Sequence, residues 1–155
     1  TARTRYLGAT SSLVLTEPLF VQFAEIKLVK PFDKNLLKKK NALKTAKDGF
    51  EKLLQYEMGE VTSASTFYIA ELYFNFNRSL VESERPDDLS PLEKEQYELA
   101  IEEQAYPFEE KAIEIHEKNL ELLALGVYST WIENSFEKLA KLIPARYAKY
   151  EESSG

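Results

Sequence analysis

The sequence predicts an all-α fold built from antiparallel helical hairpins. Three observations carry this expectation. Apolar residues recur at spacings of three and four through most of the chain, and no stretch alternates as a strand does. The connections marked by Gly and Pro are short, and short connections join antiparallel neighbours. The stretch from Tyr106 to Pro144 reads as two amphipathic helices around a tight turn at Gly126. Six to seven helices are expected in all.

The first runs from Arg3 to Val29, with Leu7, Leu13, Val14, Phe20, Phe23 and Leu28 among its apolar positions. Pro18 interrupts it. A proline inside a helix costs about 3 kcal/mol, so a kink or restart is expected there, with Thr16 as an N-cap. Lys30-Pro31 closes the segment, because the residue before a proline is pushed out of the helical region.

The second helix is expected from Asp33 to about Tyr56, apolar at Leu36, Leu37, Leu43, Ala46, Phe50, Leu53 and Leu54. Gly49 weakens it locally by about 1 kcal/mol. The Lys38-Lys39-Lys40 run reads as a solvated helix face. Gly59 is the stop signal, and Thr62 or Ser63 caps a third helix to about Ser83. Phe67, Tyr68, Tyr73, Phe74 and Phe76 are more aromatics than one helical face needs, so this helix is buried on several sides or lines a groove.

Ser90-Pro91-Leu92-Glu93 is the clearest helix start: Ser at the cap, Pro at the first helical position, and Glu three residues after Ser. That helix is expected to point Leu92, Gln96, Leu99 and Ala100 inward and to break or bend at Pro107. The closing hairpin follows. Its first helix carries Ala112, Ile115 and Leu120 and ends at Gly126, which supplies the left-handed conformation. Its second carries Trp131, Ile132, Phe136, Leu139 and Leu142, with a frayed turn from Arg146 to Tyr150.

A chain of 155 residues is long enough to bury a real core, and its composition is that of a globular protein. Residues 1–150 are read as one helical domain and 151–155 as a disordered tail. The start at Thr1 and the single Met58 suggest a domain cut from a longer chain. No apolar run approaches a membrane span. The absence of Cys excludes disulfides and thiolate chemistry.

The net charge of −6 argues against general nucleic-acid binding. Its distribution is polar along the chain. Residues Lys27 to Lys52 sum to +6, whereas Glu82 to Glu117 sum to −10.

Catalytic schemes all hang on the single histidine, His116. A di-iron site needs two Glu-x-x-His pairs, and Ile113 occupies the position three before it. Its neighbours at three and four residues are mostly apolar, so it reads as a packed, hydrogen-bonded interface residue. Glu102, Glu103, Glu109 and Glu110 are dense enough to be a solvated face. No glycine-rich phosphate loop exists. No cofactor or metal is expected.

Three places resemble the tetratricopeptide pattern. Ile132, Phe136, Leu139 and Pro144 have the spacing of its second helix, and so do Ala46, Phe50 and Leu53. Ile69-Ala70 and Tyr73 resemble its Leu-Gly-x2-Tyr portion. In the final hairpin His116 and Asn119-Leu120 stand where Trp and Leu-Gly would be, a departure from ordinary packing. The stretches EVTSASTFYIAELY and EEQAYPFEEKAIEIHEKN resemble the C-terminal region of large bacterial cell-envelope tetratricopeptide proteins. That resemblance implies a right-handed α-solenoid and a scaffold in the bacterial periplasm or envelope. The composition alone fits the cytoplasm equally.

The resemblance further implies a non-enzymatic module that holds a protein or peptide segment on its concave surface. Phe67, Glu71, Phe74 and Asn75 would face that groove from one hairpin, and Glu114, Glu117 and Glu121 from the last. An acidic and aromatic groove prefers a basic or apolar segment. The alternative is a segment that caps a longer solenoid. Its first helix would then expose an apolar face, and the fragment would self-associate.

Overall fold

A computed structural model describes residues 1–144. Among the described residues there are five α-helices and one 3-10 turn: α1 Ala2–Ala24, α2 Phe32–Leu53, the 3-10 turn Leu54–Tyr56, α3 Gly59–Val81, α4 Pro91–Ala124 and α5 Thr130–Leu142. The all-α class stands. The turn expected over Arg146 to Tyr150 and the tail 151–155 lie outside the described residues.

The helix count is lower than the prolines suggested, because neither ends a helix. Pro18 sits inside α1 and Pro107 inside α4. Both are exposed. Each removes one backbone donor, and on a solvent-facing side the carbonyl left over can be hydrated. Thr16 is therefore not an N-cap; its hydroxyl donates back to the Ser12 carbonyl at 2.7 Å. Thr1 caps α1 instead.

The end of α1 is held by a residue expected in solvent. Lys39 is fully buried. Its Nζ donates to the carbonyls of Phe23 at 2.9 Å and Ile26 at 2.8 Å and lies 4.1 Å from the Phe23 ring centre. A cation from α2 thus adds a donor to the Phe23 carbonyl in the last turn of α1 and to the Ile26 carbonyl just beyond it, where the helix dipole also favours positive charge. Lys38 and Lys40 remain exposed.

Further along the pair, Gly49 is what lets α1 and α2 meet. A Cβ there would stand 2.9 Å from Leu19 Cδ1 and 3.2 Å from Thr16 Cγ2. Ser12 reaches Tyr56 at 3.0 Å. The sequence of meetings, Lys39 with Phe23, Gly49 with Thr16 and Tyr56 with Ser12, makes α1 and α2 antiparallel.

Gly59 does not stop a helix: it is the first residue of α3, and the break is at Glu57, which takes a left-handed φ of 51°. A Cβ at Gly59 would meet Val127 at 2.9 Å. Close packing of the loop after α4 is what this glycine allows.

α3 is the centre of the molecule and packs against α1, α2, α4 and α5. Val61, Ala64, Ile69, Ala70, Leu72, Phe76 and Leu80 are buried along it. That multi-sided burial explains its surplus of aromatics. Tyr68 stacks on Phe50 of α2 at 4.8 Å and tilts against Phe20 of α1 at 5.4 Å and Trp131 of α5 at 5.3 Å. Its hydroxyl donates to Glu17. Burial and that carboxylate raise the Tyr68 hydroxyl well above the ordinary tyrosine range.

α4 begins as expected, with the full capping box between Ser90 and Glu93. It then runs unbroken over 34 residues. Its inward residues are Ile101, Ala105, Ala112, Ile115, His116 and Asn119. Leu92, Gln96, Leu99 and Ala100, expected inward, face solvent. Asn77 with Ala105, Phe76 with Phe108 and Glu71 with His116 show that α3 and α4 are antiparallel. Gly126, at φ 86°, ends the helix as expected. α5 then returns along the C-terminal half of α4, capped by Ser129.

Candidate functional site

Two places gather the residues singled out in the sequence, and they are separate. The first is a buried polar chain where α3, α4 and α5 meet. His116 is fully buried. Its Nε2 lies 2.9 Å from Glu71 Oε1, and its Nδ1 lies 2.9 Å from Ser135 Oγ. A carboxylate only accepts, so Nε2–H donates to Glu71. In the neutral ring the Ser135 hydroxyl then donates to Nδ1.

The same hydroxyl oxygen accepts from Asn119 Nδ2 at 2.9 Å, and that amide also donates to the Ser63 carbonyl at 3.0 Å. Lys138 Nζ closes the outer end, 3.5 Å from Glu71 Oε2 and 3.8 Å from the centre of the Phe74 ring. Phe67 packs its edge on His116 at 5.4 Å and also meets Trp131. Asn119 Oδ1 and Ser65 Oγ are buried with no hydrogen-bond partner.

Serine, histidine and carboxylate are in the order of a hydrolytic triad, which sequence separation had hidden. The surroundings do not suit that chemistry. Ser135 and His116 are fully buried under α5, and the serine oxygen is engaged with both His116 and Asn119. A nucleophile must reach its substrate and have donors waiting for the oxyanion. What this chain does is satisfy every imidazole nitrogen at a three-helix junction, the packed interface role expected for His116.

The expected groove is divided accordingly. Phe67 and Glu71 lie within the α3–α4–α5 junction. Phe74 sits half-buried against Lys138, and Asn75 accepts from Ser79 at 3.4 Å along its own helix. Glu114 and Glu121 are exposed and Glu117 is half-buried. They lie off the buried side of α4 and line a shallow groove of about 570 Å³ with Tyr106, Ile113 and Ile143. Glu114 pairs with Lys111 and Lys118, each at 3.6 Å. The two halves of the expected site therefore do not share one surface.

The second place is this outer face of α4, extended along the whole helix. Leu92, Leu99, Tyr106 and Ile113 follow one another at intervals of seven. The first three are more than half exposed. Glu103, Glu110 and Glu117 repeat at seven on one flank, with Glu114 and Glu121 further round the same side, and Glu95, Glu102 and Glu109 repeat at seven on the other. An α-helix turns 700° in seven residues, so each set drifts only about 20° per repeat and stays on one face. The sequence carried this signal, but the inward assignment of Leu92 and Leu99 concealed it.

A third feature is a partly open apolar cleft of about 320 Å³ between α2, α3 and α4, lined by Phe76, Leu80 and Phe108 with Lys40 and Tyr97. Among the described residues no group of three or more His, Asp or Glu could hold a metal ion, and no helix is long and apolar enough to cross a membrane. No family model, curated protein or solved structure matches the chain.

Proposed function

We propose that the protein is a non-enzymatic helical interaction module that takes a basic, amphipathic helical segment of a partner along the outer face of α4. One observation carries this reading: the seven-residue apolar line Leu92, Leu99, Tyr106 and Ile113, flanked by repeating glutamates. Such a seam buries its apolar line only against another helix, and the flanking charges select the partner. Lys or Arg beside the partner's apolar line would meet the glutamates. A second α4 would bring acid against acid and is disfavoured.

Glu114, Glu117 and Glu121 keep the partner-binding role expected of them, while Phe67 and Glu71 become supports that fix α4 and α5 beneath. The tetratricopeptide-like solenoid is part of the same proposal. Successive antiparallel hairpins and the quoted spacings support it. Helices of 22, 23 and 34 residues are longer than the paired helices of a 34-residue unit, so the likeness concerns hairpin stacking rather than repeat length. The likeness to envelope scaffolds makes the bacterial periplasm the place to seek the partner.

The test uses two designed helical peptides with Leu at every seventh residue, one flanked by Lys and the other by Glu. Titration calorimetry should show the Lys peptide binding about tenfold or more tightly than the Glu peptide, and more tightly still at low salt. Equal affinities, or no binding of either, would overturn the proposal.

A further inference from the structure

The outer face of α1 is unlike that of any other helix here. Between Arg5 and Glu25 its only charged residue is Glu17, and Glu17 turns aside to Tyr68. Leu7, Val14, Leu15 and Val21 are all more than half exposed. Ser11 lies between them, exposed and small, and would let another helix come close. A helix apolar on all sides is normally covered on all sides. α2 and α3 cover one side only.

The same face is complementary to itself. Leu7 and Val21 lie seven residues before and after Val14, and Arg3 and Glu25 lie eleven before and after it. If two copies of α1 cross antiparallel with Val14 against Val14, Leu7 meets the other copy's Val21 and Arg3 meets its Glu25. Both ends then pair at once, as a two-fold interface requires. Neither Arg3 nor Glu25 has an ion-pair partner among the described residues. A shallow groove lined by Val14, Pro18, Val21, Glu25 and Tyr68 runs alongside and can receive the opposing side chains.

We infer that two copies of this chain associate through α1, antiparallel about Val14. This surface is independent of the α4 face, so either assignment can fail without the other. The α4 seam cannot substitute for it, since two copies of that seam would repel.

Sedimentation equilibrium of the chain decides the matter. The unaltered protein should be dimeric at about 100 µM, a weak interface of the small-area class. Val14→Glu sets two carboxylates against each other at the two-fold and should leave a monomer with an unchanged melting temperature. Arg3→Glu or Glu25→Arg alone should weaken the dimer about fivefold, and the two together should restore it. Leu99→Ser on α4, which belongs to the peptide-binding face, should leave the sedimentation equilibrium of the dimer as it was. A monomer at the outset, a dimer insensitive to Val14→Glu, or a double exchange that fails to restore association would each overturn the inference.

Discussion

His116 and Glu71, 45 positions apart in the chain, meet through a 2.9 Å hydrogen bond between Nε2 and Oε1. The pair joins α4 to α3, and Ser135 on the far side of the ring adds α5. A buried ring satisfied on both nitrogens is costly to remove. It leaves a cavity and two side chains without their partner. His116→Ala should therefore lower unfolding free energy by about 3 kcal/mol. Ser135→Ala should cost about 1–2 kcal/mol. Urea denaturation measures both, and changes below about 0.5 kcal/mol in each would contradict the junction described.

Lys39 makes stability depend on pH. Burial pushes its ammonium down to about 8 from an ordinary 10.5. Between those values the unfolded chain holds more protons than the folded one, so stability rises with pH across the window. The contribution is fully present above 10.5, where both states are neutral, and is lost as pH falls through about 8. Lys39→Met should abolish this rise. It should also cost about 1–3 kcal/mol at neutral pH, because the Phe23 and Ile26 carbonyls lose this donor. The check is the difference in unfolding free energy between the two proteins at pH 7, 9 and 10.5, a series in which the other lysines and tyrosines cancel.

Gly126 isolates a backbone effect. It adopts φ 86°, and a Cβ there would meet nothing within 4 Å. Gly126→Ala should cost about 1–2 kcal/mol through the left-handed conformation alone. Gly126→Asn should recover part of it, since Asn tolerates that region better. Thermal melts that put alanine level with glycine would mean the turn can rearrange.

Much of the fold was legible in local signals. The capping box at Ser90 and the turn at Gly126 are each written within a few residues, and both stand where expected. Pro18 and Pro107 misled because a proline's effect depends on whether its freed carbonyl faces solvent, a tertiary fact. Lys39 misled because three consecutive lysines point in three directions, and nothing local says which one meets the end of α1. The same limit hid the Glu71–His116–Ser135 chain, whose members come from three helices. For the candidate site, the glutamates of α4 were readable by their spacing. Their separation from Phe67 and Glu71 was not, because it depends on which side of α4 packs inward. Leu92 and Leu99 looked like core by hydrophobicity, although Ile101 and Ala105 hold that role.

The α4 face is tested most directly by exchanging its charge. Glu103, Glu110 and Glu117 replaced together by Lys should reverse the preference between the two designed peptides, with the Glu-flanked peptide now bound about tenfold more tightly than the Lys-flanked one. Circular dichroism should show the same helix content and melting temperature within a few degrees. An unaltered preference for the Lys peptide in a variant that remains folded would contradict the assignment of this face.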